Sequence, residues 1–177
     1  MTAPDHDAPE EIVWQGRFVT AKRRGRWEYV GRARNIRAAV ILATIDDDVL
    51  LVEQYRVPLG RRCLELPAGL IGDDAEGEDD LVAAGRELEE ETGYRAGRLE
   101  SLGTYYSSPG MLSESFTLVR ASALEQVGPG GGVEGEDITV HRVRMADAAG
   151  FIAAKRAEGC GVDVRVLMLL AGEMLGA

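Results

Sequence analysis

Cysteine is nearly absent: Cys63 and Cys160 are the two in 177 residues, too few for a disulfide scaffold and without the close spacing of a metal-binding pair. Both read as buried or idle thiols. Long apolar runs are also missing. The longest, Val164 to Gly172, is broken by Arg165 and falls well short of the roughly 20 residues a membrane-spanning helix needs. No charged-then-apolar leader opens the sequence, so a cytoplasmic protein is the default expectation. Positive charge is in deficit, with 20 Lys and Arg against 30 Asp and Glu. The net charge of −10 argues against nonspecific binding to nucleic acid or to an anionic membrane. No internal repeat is visible.

What is present suits one domain with a sizeable core, since 45% of the residues are hydrophobic. Residues 1–10 are polar, acidic and proline-bearing and read as a disordered arm. Ile12 to Lys22 and Trp27 to Arg34 alternate as strands do, and Arg23-Arg24-Gly25 between them reads as a hairpin turn. Between Gln15 and Arg37 basic charge is concentrated, with Arg17, Lys22, Arg23, Arg24, Arg26, Arg32, Arg34 and Arg37 against the lone Glu28. Such an excess could meet phosphate or simply be solvated. Arg37 to Ile45 and Val49 to Tyr55 look like central strands joined by the turn Asp46-Asp47-Asp48. Shorter strands are expected at Cys63 to Leu66, Arg98 to Tyr105, Ser115 to Ala121 and Ile138 to Arg144, and helices at Ala146 to Glu158 and Val162 to Leu175. Gly128 to Asp137 is glycine-rich and, taken alone, mobile. Strands followed by interleaved helices predict an α/β sandwich with a mixed sheet over residues 36–177, preceded by the N-terminal hairpin of residues 11–35.

The stretch Gly69 to Tyr94 carries the chemistry. A helix through Arg86-Glu87-Leu88-Glu89-Glu90-Glu91-Thr92 places Glu87, Glu90 and Glu91 in one sector and Leu81, Ala84, Leu88 and Thr92 in the next. One face packs and the other gathers carboxylates. Three carboxylates within a turn repel one another unless they are solvated or neutralised by a cation, and hard divalent ions prefer such oxygen ligands. Arg86, one turn before Glu90, can orient a carboxylate through its fork, and Gly93 supplies the helix stop.

The full pattern resembles the Nudix box of the Nudix hydrolases: a glycine, five residues, glutamate, seven residues, then R-E, an aliphatic, any residue, E-E, any residue, glycine and a hydrophobic. Gly72, Glu78, Arg86, Glu87, Leu88, Glu90, Glu91, Gly93 and Tyr94 satisfy that spacing. There is one departure. In the subgroup this chain most resembles, the box glycine follows a strand such as Glu65-Leu66-Pro67-Ala68-Gly69, so Gly69 is its counterpart and Ile71 to Gly77 holds an insertion. The resemblance implies a Nudix α/β/α sandwich and Mg²⁺ dependence, with Mn²⁺ as the other candidate. The ions would be held by Glu87, Glu90, Glu91, Glu136 and the carbonyl of Ala68.

Pro109 stands sixteen residues after Gly93, the marker of the ADP-ribose pyrophosphatase subgroup. Ser108-Pro109-Gly110-Met111-Leu112-Ser113-Glu114 is similar to its S-P-G-x-x-x-E loop, which implies that Ser108 and Glu114 hold the terminal ribose. Val52 to Arg56 resembles its V-E-Q-x-R strand end, which brings Arg56 to the diphosphate. Trp27-Glu28 and the segment around Phe18 resemble the adenine-binding pair and its opposing aromatic. Glu134-Gly135-Glu136-Asp137-Ile138 is close to E-x-E-D-I, with Glu134 as base and Glu136 as ligand. The bare spacing agrees: two positions apart in an extended segment, both side chains point one way, and Glu136 stands nearer the following strand. Glu90 and Arg86 complete the implied catalytic set.

The expected activity is hydrolysis of the diphosphate of ADP-ribose to AMP and ribose 5-phosphate. The alternatives are another nucleoside diphosphate sugar, such as GDP-mannose, and a nucleotide-sensing domain that binds without turnover. A homodimer is expected, because the hairpin would otherwise leave apolar faces exposed.

Overall fold

Strand β4, Arg37–Ile45, is the axis of the fold in the computed structural model, which describes residues 4–33, 36–72 and 78–175. Successive side chains on a strand point to opposite faces, and here both sets are buried. Ala38 and Val40 join one core, while Ala39, Ile41 and Ala43 join the other. A turn with φ 51° at Asp46 leads into β5, Asp48–Arg56. The two strands meet at Thr44 with Val49 and Ile45 with Asp48, and their registers then go to different partners. β4 pairs in parallel with β9 (Ser115–Gln126) and antiparallel with β7 (Ala68–Ile71). β5 pairs antiparallel with β6 (Arg61–Glu65) and β10 (Thr139–Arg144). β8 (Tyr94–Tyr106) extends the sheet beyond β9, and β11 (Gly161–Val162) lies parallel to β6 at the other edge. The mixed sheet therefore opens into two leaves from one hairpin.

Helices cover both sides. α1 (Asp80–Thr92) buries Ala83, Ala84 and Leu88 against Ala39, Ile41 and Val119. Removing the fully buried Leu88 from water contributes about 2 kcal/mol. Asp79 caps the start of α1 by accepting from the amides of Leu81 and Val82. Gly93 ends it in a left-handed conformation, φ 76°, with its N–H donating to the Glu89 carbonyl at 2.9 Å. On the other side, α2 (Ala148–Ala157) contributes Ile152, and the 3₁₀ segment Val164–Leu170, which leads into α3 (Ala171–Leu175), contributes Val166. This is the expected α/β/α sandwich. No helix among the described residues is long and apolar enough to cross a membrane.

The N-terminal segment forms three strands rather than two. β1 (Glu10–Gln15), β2 (Val19–Arg24) and β3 (Trp27–Arg32) form an antiparallel meander, because the first expected strand turns back at Gly16, whose N–H donates to the Val19 carbonyl at 2.9 Å. It joins the main domain through Val30, which donates to the Met111 carbonyl at 3.0 Å and accepts from the Ser113 N–H at 2.9 Å. Asp5 pairs with Arg26 at 2.9 Å. Arg34, Met1 to Ala3 and residues 73–77 of the inserted loop lie outside the described residues.

Two further expectations change. Ala68–Ile71, which periodicity does not reveal, is strand β7. The helix expected from Val162 begins instead as a strand pair with β6 and a 3₁₀ segment. β-Branched Val162, Val164 and Val166 disfavour an α-helix there, and Asp163 ties itself to the Arg165 N–H at 2.8 Å.

Candidate active site

The sector of α1 beside Leu88 carries the glutamates, and the chain is shaped to receive them. Glu87 lies against Gly69 so closely that a Cβ on Gly69 would stand 1.9 Å from the Glu87 carboxyl carbon. Any side chain at position 69 would push the Glu87 carboxylate from its place, which gives this glycine a physical reason. Arg86 gathers three carboxylates: Glu87 at 2.9 Å, Glu90 at 3.3 Å and Glu78 at 3.5 Å. Glu91 is buried and accepts from the Ala68 N–H at 3.0 Å. Burial pushes its pKa up to about 8; the Ala68 amide opposes the shift, and the nearby Glu87 and Glu136 add to it.

The glycine-rich run is pinned rather than free. α1 ends with carbonyls that have no partner inside the helix. The N–H groups of Gly131 and Gly132 fill two of them, donating to Glu91 at 2.8 Å and Glu90 at 3.0 Å. Gly130, at φ 66°, crosses so near the helix end that a Cβ would meet the Thr92 carbonyl carbon at 2.4 Å. Beyond this clamp the Glu136 carboxylate turns back to accept from the Val133 N–H at 3.0 Å, and Glu134 is exposed.

Glu87, Glu91 and Glu136 line a cavity of about 630 Å³ together with Ala68, Gly69, Arg56, Glu114 and Ser107. Its walls come from both leaves of the sheet, from α1 and from the acidic loop. Three arginines, Arg32, Arg56 and Arg165, face six carboxylates, Glu65, Glu87, Glu91, Glu114, Glu136 and Asp163. Each arginine is already engaged. Arg56 forks onto buried Glu65 at 2.6 and 2.9 Å, Arg32 binds Glu114 at 2.7 Å, and Arg165 grips Asp163 at 2.6 Å. Arg165 also sits 5.5 Å above the Phe116 ring. Cys63 in the wall is inert, since burial, with Glu65 and Asp163 nearby, pushes its thiol up to about 12.

Not every expected residue is in this wall. Glu90 is held by Arg86 outside it, Glu134 is on the exposed loop, and Ser107 rather than Ser108 faces the cavity. Trp27 borders a separate hollow of about 460 Å³ with Tyr29, Tyr106, Pro109 and Gly110. Glu28 stands opposite Arg23 in the N-terminal sheet, and Phe18 is exposed beneath the Arg17 guanidinium. Among the described residues no group of three acidic, His or Cys side chains is already closed into a metal site. Glu65, Asp163, Arg32 and Arg165 are wall residues without an expected role. The visible signals were the Arg165 charge inside an apolar run and the basic cluster holding Arg32.

The NUDIX domain model matches residues 34–149, which contain α1 and its acidic partners. The chain belongs to the Nudix family. It is 38% identical over 119 residues to the methanol dehydrogenase activator of Bacillus methanolicus, covering 67% of this chain and 63% of that one. It is also 34% identical over 118 residues to the ADP-ribose pyrophosphatase of Bacillus subtilis (strain 168), covering 66% and 62%. The matched segments thus span less than two thirds of these relatives. A crystal structure of an ADP compounds hydrolase superposes with TM-score 0.68 and 25% identity, covering 95% of this chain and 92% of that one. The Nudix chain described here therefore shares the architecture of that structure.

Proposed function

We propose that the chain is a divalent-cation-dependent pyrophosphohydrolase that adds water across the diphosphate of ADP-ribose, releasing AMP and ribose 5-phosphate. The observation that carries this reading is the charge of the cavity. Six carboxylates outnumber three arginines that are already paired, and Glu91 is buried with no cationic partner within hydrogen-bond reach among the described residues. An anionic diphosphate gains little there from protein charge alone. Hard divalent ions fit the donor set, and Glu87, Glu91, Glu136 and the Ala68 carbonyl would hold Mg²⁺ or Mn²⁺, with Glu90 as a further ligand. When bound, such ions lower the pKa of water and offset charge on the phosphoryl oxygens.

The remaining work falls to the protein. Arg56, fixed in orientation by Glu65, presents its guanidinium to the diphosphate. Glu114 and Ser108 hold the terminal ribose, while Trp27, Glu28 and Phe18 receive the adenine. Glu134 takes the proton of the attacking water, and its exposed place on a short loop lets it approach when substrate is bound. Arg86 keeps Glu87 and Glu90 in register. Ile12, Val13, Trp14 and Phe18 are exposed on the N-terminal sheet, which we read as the face that meets a second copy in a homodimer.

A panel of nucleoside diphosphate sugars with Mg²⁺ or Mn²⁺ and identification of products tests this. ADP-ribose should be the best substrate and should yield AMP. Preference for GDP-mannose would move the reading to another sugar. Binding without turnover of any of them would make the chain a sensor, a role the complete glutamate set disfavours.

A further inference from the structure

We infer that Arg62 is a positioning residue for the acidic loop: its guanidinium bolts the loop's far end to the buried carboxylate of Glu53 and so sets where Glu136 stands. This rests on the reading of Glu136 and Glu134 given above. Arg62 lies on β6, and its Nε donates to Glu53 Oε1 at 2.7 Å while Nη2 donates to the Glu53 carbonyl at 2.8 Å. The same guanidinium reaches the loop. Nη1 donates to Asp137 Oδ2 at 2.6 Å, and Nη2 to Thr139 Oγ1 at 3.0 Å and to the Asp137 carbonyl at 3.4 Å. A planar fork serves both partners at once, which an ammonium cannot do with the same geometry.

The anchor itself cannot swing. Glu53 is buried and its Oε2 is held by His141 at 3.0 Å and Lys155 at 3.0 Å. Burial opposes its charge, yet the bonds from Lys155, His141 and Arg62 bring its pKa down to about 2, so it stays ionised at working pH. An exposed ion pair such as Arg62 with Asp137 is worth little alone. Here it is one of three contacts to residues 137–139, made from a base that is already fixed.

The loop is therefore fastened at both ends, by Gly131 and Gly132 on α1 and by Asp137 on Arg62. Between the fastenings lie Val133, Glu134, Gly135 and Glu136. Gly135 has φ 96°, and nothing lies within 4 Å of where its Cβ would be. Gly135 thus separates the two glutamates within a turn that the Glu136 N–H closes on the Val133 carbonyl at 3.0 Å. Glu134 is exposed in that turn, while Glu136 stands next to the bolt.

Steady-state kinetics with ADP-ribose on Asp137→Ala, Arg62→Ala, Arg62→Lys and the Arg62→Ala/Asp137→Ala pair test the inference, with Tm recorded alongside. Asp137→Ala should lower kcat by about fivefold and Arg62→Ala by roughly tenfold, with KM within about twofold of wild type and more Mg²⁺ needed for half-activation. Arg62→Lys should recover only part of the loss. The double variant should match Arg62→Ala, because the two groups act through one contact. Wild-type kcat in Asp137→Ala and Arg62→Ala, or a lowered Tm with unchanged kcat per folded molecule, overturns the role. Glu136→Gln measured in parallel separates the two readings. If it too is normal, the site assignment fails; if it is impaired while Asp137→Ala and Arg62→Ala are normal, this inference alone fails.

Discussion

Glu91 and Glu53 are both buried carboxylates, yet their surroundings move them in opposite directions. Glu53 meets Arg62, His141 and Lys155, and although burial works against it, those bonds bring its pKa down to about 2. Glu91 is pushed up by burial to about 8, with the Ala68 amide in opposition and Glu87 and Glu136 adding to the rise. One is a finished ion cluster; the other, among the described residues, has only the through-space charge of Arg56 on its side, and Arg56 is already forked onto Glu65. Buried carboxylates persist when they are paired or bind a metal. The protein supplies every partner of Glu53 and leaves Glu91 to be neutralised by a proton or, on the reading proposed above, by a bound cation.

The sharpest way to break this contrast is Glu91→Gln, which keeps the volume and removes the carboxylate proposed above as a hard ligand. Turnover of ADP-ribose should fall by roughly three orders of magnitude with the fold intact by circular dichroism. Unchanged kcat at saturating Mg²⁺ would remove Glu91 from the site. Glu53→Gln should do the reverse, costing about 3 kcal/mol in denaturant unfolding at pH 7 because its cationic partners lose their buried counter-charge. The pH dependence follows from the depressed pKa of Glu53. Its contribution is present above the ordinary value of 4.5 and is lost as pH falls toward about 2, so the deficit of the variant should shrink between pH 5 and pH 3. A deficit that does not change with pH would mean that Glu53 is not the charged anchor described here.

Gly69→Ala probes the space on the Glu91 side of the comparison. Its Cβ cannot share the position of the Glu87 carboxyl group, so that carboxylate must shift. A displacement of about 1 Å costs on the order of 100-fold in rate. Activity within twofold of wild type would show that Glu87 need not stand there.

Smaller still is the effect of pH on the metal-free protein. Glu91 has a raised pKa, so its contribution is fully present below 4.5 and is lost as pH climbs through 8. Without metal, Glu91→Gln should therefore gain in Tm over wild type from pH 5 to pH 9. Parallel curves would contradict the shift.

The helix side of the site was legible because its signal is local. Spacing within one helix puts Glu87 and Glu91 on one face, and Gly93 marks the stop. Arg56 and Glu114 were legible only through resemblance, and they do meet in the cavity. Resemblance named Ser108, whereas the cavity wall of this structure holds its neighbour Ser107, because adjacent residues in an irregular turn point differently. Arg165, held by Asp163, reaches Glu65 and Phe116 from a distant part of the chain, so no periodicity could announce it. In the N-terminal segment, alternation gave the correct strand character, but Gly16 broke the first strand, and turns of that kind depend on one residue rather than on a pattern.

The most direct test of the cation-seeking half of this comparison is Mg²⁺-dependent thermal stabilisation at pH 8, followed for wild type and Glu91→Gln without substrate. Saturating Mg²⁺ should raise the wild-type Tm by roughly 3 °C or more, should add little to the variant, and should have a smaller effect on wild type at pH 5, where Glu91 holds its proton. An equal rise in both proteins, or none in wild type at pH 8, would contradict the account.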